Sequence, residues 1–235
     1  MLKNRKLVVT MFVVAIVLVT LIGVIPSIVS SFSGPGVKTE GLSDDHARPA
    51  STQLDGTWQI VHNRGRNATS VGFTFPEVLP GDRRVTSAST QEVHGQVEVT
   101  GQELVAADVE VDLTALQSDN ERRDINVRNK IFDTDTYPSA SFTLTEPARL
   151  DEVPDNGVAG KVELTGELSI KGTTNKVSAL FDVLRDDDRV VVAGTLPINR
   201  LDYGVETPDF VAAKIAEDGE VNIRLTLEKA GEEAQ

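Results

Sequence analysis

The sequence predicts an all-β domain of antiparallel strands behind one apolar N-terminal segment. Three observations predict it. Beyond residue 55, apolar and polar residues alternate over most of the chain. Clusters of Gly, Pro, Asn and Asp divide those runs at hairpin spacing. The long unbroken apolar stretch lies near the N-terminus. Strands with one apolar and one polar face belong to antiparallel sheets, because parallel strands are usually covered on both sides. A wholly amphipathic antiparallel set must close into a barrel or pack as two sheets. The 235 residues suffice for one medium domain and an appendage.

Residues 1–29 read as a membrane anchor or signal. Leu7–Ile25 is almost continuously apolar, with Lys3, Arg5 and Lys6 before it. About 20 apolar residues in a helix cross the hydrocarbon core, and the basic cluster places the N-terminal end in the cytoplasm. A cleaved signal peptide is the rival reading, although its apolar region is normally about 7–15 residues and no Ala-x-Ala site follows here. The expectation is a single-pass membrane protein with its main domain extracytoplasmic, or a secreted one if the segment is removed. The chain has no Cys, which excludes a lipid-modified cysteine and disulfides. The whole chain carries −13, and the first 37 residues supply three cations and no acid, leaving −16 for the rest. Such a charge repels phosphate backbones, so nucleic acid is not an expected partner.

Residues 30–54 are rich in Ser, Gly, Pro and charge and read as a flexible linker. The domain follows over 55–230, with a tail at 231–235. Val71, Phe73 and Phe75 share one strand face, as do Val97 and Val99, and then Ala107, Val109, Val111 and Leu113. The clearest alternation is Lys161–Lys171, where Val162, Leu164, Gly166, Leu168 and Ile170 point one way. Val177, Ala179, Phe181 and Val183 repeat it, and so do Val221, Ile223, Leu225 and Leu227. Turns are predicted at Pro80-Gly81-Asp82, Thr100-Gly101, Pro154–Gly157, Gly172–Asn175, Asp186–Asp188 and Asp218-Gly219. Residues 112–145 interrupt this pattern. A charged segment around Arg122-Arg123-Asp124 leads through helix-compatible residues to Ile131-Phe132, the Tyr137-Pro138 turn and the strand residues Ser141–Thr145.

Four ordered stretches resemble the YceI family of lipocalin-like, polyisoprenoid-binding proteins. They are Ser118–Arg128 (SDNERRDINVR), Phe132–Pro138 with Ser141-Phe142, Leu164–Val177, and Ile198–Val205. Membrane-anchored actinobacterial members are the expected type. The resemblance implies an eight-stranded antiparallel lipocalin-like barrel, capped by a short helical crossover and holding a long isoprenoid chain. Many relatives carry a His soon after the first strand. Here that region reads Phe73-Thr74-Phe75-Pro76, so no role for that His carries over.

An eight-stranded barrel is just wide enough to be filled by side chains or to hold one small ligand. The inward set is weighted to Val, Ala and Gly, which favours an elongated apolar cavity over a packed core. The expected lining and lid residues are Phe73, Val109, Val111, Phe132, Phe142, Leu144, Leu168, Ile170 and Phe181. Within the crossover, Ile125, Val127, Ile131 and Phe132 are expected to close one end. The polar mouth candidates are Arg122, Arg123, Asp124 and Arg128, with Asn199, Arg200 and Asp202. Asp124 and Arg128, at i,i+4 spacing, are expected to pair with each other rather than with a headgroup.

No catalytic residues are expected, for there is no Gly-x-Ser-x-Gly elbow, phosphate loop or paired carboxylates. His46 lies in the linker, and His62 and His94 have no Cys or carboxylate at ligand spacing, so no metal is expected. Asp186-Asp187-Asp188 reads as a solvated hairpin tip rather than a Ca²⁺ site. Asn67-Ala68-Thr69 matches a glycosylation acceptor by chance. No cofactor is expected. The expected function is non-catalytic carriage of a polyprenyl lipid or isoprenoid quinone, with the membrane reached through the N-terminal helix and a homodimer left open. A membrane-tethered protein-interaction module without lipid is the alternative.

Overall fold

The computed structural model describes residues 11–17, 34–79, 82–207 and 214–231. Among the described residues twelve strands form one antiparallel sheet. They are β1 (Gly56–Ile60), β2 (Ser70–Leu79), β3 (Asp82–Thr90), β4 (Val93–Thr100), β5 (Glu103–Asp112), β6 (Ser139–Glu146), β7 (Ala148–Arg149), β8 (Gly160–Ile170), β9 (Thr173–Asp186), β10 (Arg189–Asn199), β11 (Lys214–Ile215) and β12 (Asp218–Lys229). The order β1-β4-β5-β6-β8-β9-β10-β12 is closed by pairing of β12 with β1, giving a ring of eight. Closure removes free sheet edges, as the amphipathic pattern requires.

β1 and β2 share one edge of β12. Ile60 lies opposite Leu227, and from Ser70 onward β2 takes over, with Phe73 opposite Val221. β3 pairs β2, and β4 then pairs β1, so each hairpin arm is a broken long strand. β6 and β7 likewise share β5, interrupted at Pro147, which has no N–H for the ladder. Asp218-Gly219, expected as a turn, instead opens β12 and pairs Asn199 and Ile198. Thr173–Asn175, also expected in a turn, lie in β9, whereas Gly101, Pro154–Gly157 and Asp187-Asp188 fall between strands and Pro80-Gly81 lies outside the described residues.

The crossover bears out its reading as a partly helical insert. Asp112 Oδ1 accepts from the Thr114 N–H at 2.8 Å, which caps a 3-10 turn at Leu113–Ala115. Asn120 Oδ1 accepts from the N–H groups of Arg122 and Arg123 at 3.0 and 3.3 Å and starts the helix Glu121–Asn126. A wider turn, Val127–Phe132, carries the chain on and ends at Asp133 in the left-handed region, φ 54°.

Two expectations about the N-terminal part are changed or fall outside the described residues. Only residues 11–17 of the apolar run are described; they are helical, and no described helix is long and apolar enough to cross a membrane. The rest of that segment lies outside the described residues. The stretch expected as a flexible linker is strapped to the barrel from Gly34 onward. Ser87 N–H donates to Pro35 O, Thr39 is buried with its hydroxyl 2.7 Å from that of Ser70, and Asn67 exchanges two hydrogen bonds with Ser43. Ala50 and Ser51 N–H groups donate to Asp155 O and Asp187 O. The strap covers a polar outer face where Thr74 bonds both Ser87 and Asn222, at 2.9 and 2.7 Å. Its attachment is therefore by hydrogen bonds, which leave no apolar pattern in the sequence. The same bonds bury Asn67, so the glycosylation match is inaccessible in the folded state.

The strap carries one titratable lock. Lys38 Nζ lies 2.8 Å from Glu220 Oε1, and this bond, helped by Asn222, holds the Glu220 carboxyl below the ordinary carboxylate range. A folded value below the unfolded one stabilises above the ordinary range and loses that contribution as pH falls through the lowered value. Both partners are partly exposed, so the effect is small. Lys38→Met is expected to lower Tm by about 1–3 °C near neutral pH. The difference from wild type should shrink as pH falls below the ordinary carboxylate range, as read by calorimetry across pH.

Candidate functional site

The barrel is hollow. Inward residues of a filled barrel lose nearly all their surface, yet here Val97, Val109, Leu164, Val177, Ala179, Val192, Val221 and Ile223 pack on the core while remaining only partly buried. They face a cavity of about 210 Å³. Its wall is nearly all hydrocarbon, and Ser141, Arg200 and Tyr203 are the polar residues that reach it. A dry apolar cavity of this kind stays empty of water and favours an apolar guest.

Glycines set the bore. A Cβ at Gly194 would sit 2.5 Å from the Phe181 ring, one at Gly166 2.5 Å from the Phe142 ring, and one at Gly219 2.2 Å from the Phe75 ring. The three phenylalanines thus lie across glycines of the neighbouring strands, against the wall rather than across the lumen. Register makes this possible: Phe142 lies opposite Leu168, with Gly166 one inward position along β8.

The two ends differ. At the β4–β5 hairpin end, the Trp58 indole is 2% exposed, and its N–H donates to Leu54 O at 2.7 Å. At the crossover end, Phe132 stacks beside Phe73 with ring centroids 5.8 Å apart, and Phe73 beside Phe75 at 6.0 Å. Arg200 and Tyr203 also line the cavity, from the turn after β10. Arg200 spends its guanidinium on three carbonyls, those of Val205, Ala216 and Ile215, at 2.7, 3.1 and 3.4 Å. Burial pushes the Tyr203 phenol above the ordinary tyrosine range, so it stays a neutral hydroxyl.

Of the expected lining residues, Phe73, Val109, Val111, Phe132, Phe142, Leu168, Ile170 and Phe181 all face the cavity. Leu144 packs on the core without lining it; it lies opposite Gly166, and the β6–β8 register shifts just beyond it, before Glu146. Within the crossover, Val127 and Phe132 are buried as expected, Ile131 packs on the core, and Ile125 is 45% exposed. Ile125 points away because Asp124 and Val127, three residues apart, occupy the buried face of this stretch.

The polar mouth set does not converge on the cavity. Arg122 is exposed, and Arg123 bonds Asp119 Oδ1 at 2.8 Å and Gly34 O at 3.2 Å. Asp124 is buried but accepts from the backbone and hydroxyl of Ser118, while Arg128 donates to Leu116 O at 3.0 Å. The expected Asp124–Arg128 pair is thus replaced by the Asp119–Arg123 pair, which ties the residue before the N-cap to the first turn of the helix. Among the named polar candidates Arg200 alone lines the cavity, and the sequence offered no signal for Tyr203 beyond its place beside Arg200. The histidines offer no metal site in linear spacing, but outside the cavity the fold brings His62, Glu92 and His94 together.

The YceI-like domain family matches residues 59–227. Among curated proteins no relative matches. Among solved structures, BcnA of Burkholderia cenocepacia is similar, with 22% identity, TM-score 0.54, and coverage of 67% of this chain and 95% of that one. A polyisoprenoid binding domain from Saccharophagus degradans, implicated in plant cell wall breakdown, is 16% identical with TM-score 0.56, covering 74% and 98%. The YceI protein of Campylobacter jejuni is 14% identical with TM-score 0.50, covering 83% and 100%. At these identities the likeness establishes the barrel fold.

Proposed function

The chain belongs to the YceI-like domain family, and from that premise we propose that its barrel binds a long apolar isoprenoid, a polyprenyl lipid or isoprenoid quinone, without catalysis. The observation that carries the proposal is the partly exposed inward wall: apolar side chains left uncovered by protein are covered by a guest. A polyisoprenoid binding domain of the same fold adds support. Each CH₂ moved from water into such a wall contributes about 0.8 kcal/mol, so a few isoprene units suffice for affinity without a polar anchor. The proposal needs no second copy, since a single ring encloses the cavity.

The location is part of the same proposal. The apolar run Leu7–Ile25 behind Lys3, Arg5 and Lys6 supports a single-pass anchor that holds the barrel on the extracytoplasmic side, near a membrane source of lipid. The role is carriage or storage of that lipid.

Lipids that co-purify with the full chain, identified by mass spectrometry, test the reading. Trp58 supplies a second readout, because it is the only tryptophan of the chain and lines the cavity. Titration with an isoprenoid quinone is expected to quench its emission saturably. Absence of both bound isoprenoid and quenching would overturn the proposal and leave the fold untouched. Phe132→Asp, which places a charge in the apolar end, should weaken retention at least about tenfold, since an unpaired buried carboxylate costs several kcal/mol. Arg122→Ala should leave retention unchanged, because Arg122 is exposed and does not line the cavity. The reverse order would mean that the crossover binds a headgroup.

A further inference from the structure

We infer that His62, Glu92 and His94 form a binding site for a borderline divalent transition-metal cation such as Zn²⁺ on the outer surface of the barrel. One ligand atom from each lies within 4.8 Å of the others. His62 Nε2 is 3.6 Å from Glu92 Oε2, and the two imidazole rings are 5.3 Å apart between centroids. Two donors at bonding distance on a tetrahedral Zn²⁺ are about 3.4 Å apart. A change of a few tenths of an ångström at His62 and Glu92, and a rotamer adjustment at His94, therefore closes the coordination. All three side chains are exposed and free to make that adjustment, and water fills the remaining position.

The donor set selects the cation. Two imidazoles and one carboxylate suit Zn²⁺ and its neighbours, whereas Ca²⁺ and Mg²⁺ take oxygen ligands.

The backbone beneath the three residues is fixed, so the site is preorganised. Val93, with no exposed surface, is clamped between Glu92 and His94 and turns both outward. The Glu92 N–H donates to Thr90 Oγ1 at 3.0 Å, and the Glu92 carbonyl accepts from the Asp112 N–H at 2.9 Å. On the other side, Val61 N–H donates to Thr226 O at 2.9 Å and Val61 O accepts from Thr69 Oγ1 at 2.7 Å. The β1–β4 pairing, which ends with Gln59 opposite Gln96, brings the chain just after β1 beside the start of β4, where His62 meets Glu92 and His94.

The bound cation would join the end of β1 to the β3–β4 turn. Through Glu92 and Asp112 it would brace the root of the crossover. Across the ladder from His94, Glu110 is a further exposed carboxylate within the same strand pair.

The test titrates tag-free full chain, stripped of metal by chelator, with Zn²⁺ alone, by calorimetry. One equivalent should bind, with a rise in Tm that chelator reverses. His62→Ala and His94→Ala should each weaken binding at least about 100-fold, more than loss of a supporting outer-shell group does. Glu92→Gln should weaken it by about tenfold or more, and His46→Ala, in the strap, should leave it unchanged. Co²⁺ in place of Zn²⁺ should give visible ligand-field bands that the His94→Ala variant lacks. Absence of stoichiometric Zn²⁺ binding, or binding that survives both His62→Ala and His94→Ala, overturns the site. Neither result bears on isoprenoid binding, since none of the three residues lines the cavity.

Discussion

Replacing Trp58 with alanine is expected to destabilise the barrel by about 3–5 kcal/mol, the range for deleting a large buried aromatic side chain. The indole is almost fully buried and closes the end of the cavity opposite the crossover. Its removal forfeits apolar burial, leaves a void that the closed ring cannot collapse to fill, and strips Leu54 O of its donor. Domains of this size are stable by about 5–15 kcal/mol, so the variant should unfold at much lower denaturant with little change in the slope. Trp58→Phe should cost less, about 1–2 kcal/mol, because it keeps a ring and loses the hydrogen bond. Denaturant unfolding followed by circular dichroism measures both. A Trp58→Ala variant within about 1 kcal/mol of wild type would mean that Leu54, Leu150 and Val153 close this end on their own.

Alternation revealed the strands because each wall residue has only two directions to point, and one of them is dry. Lys161–Lys171 carries this most clearly: Val162, Leu168 and Ile170 are buried, while Lys161, Glu163 and Glu167 are exposed. The inward lining followed from the same parity; Leu144, which keeps that parity opposite Gly166, packs on the core without lining the cavity. The strap was illegible for the opposite reason. Thr39, Ser43 and Lys38 are attached by polar contacts to residues 24 or more positions away, and such contacts have no period. The metal-ligand cluster has the same cause: Glu92 and His94 are neighbours in sequence, but His62 reaches them only through the pairing of β1 with β4. The crossover was readable as a helical insert with an apolar cap, yet Arg123 and Arg128 are tied to a nearby carboxylate and carbonyl that residue type alone does not choose.

Small inward residues suggested a cavity, and the glycine–phenylalanine pairs explain why the few large ones do not fill it. Phe181, Phe142 and Phe75 occupy the space that side chains at Gly194, Gly166 and Gly219 would take, and so remain on the wall. The remaining bore is narrow enough that a single large side chain should block it. Ala179→Trp introduces an indole from β9 into a cavity of about 210 Å³. Displacing even one isoprene unit, five carbons, forfeits about 3–4 kcal/mol, a loss of more than about 100-fold in affinity. Stability should change little, because the new ring enters space that is already empty rather than a packed core. Paired measurements decide the matter: co-purified isoprenoid should disappear from the variant and added isoprenoid quinone should no longer be retained by it, as read by mass spectrometry, while the denaturant midpoint stays near that of wild type. If Ala179→Trp retains its lipid, the guest lies outside the barrel axis, and the hollow wall needs another explanation. If it unfolds instead, the gentler Ala179→Leu variant gives the same ordering at smaller amplitude.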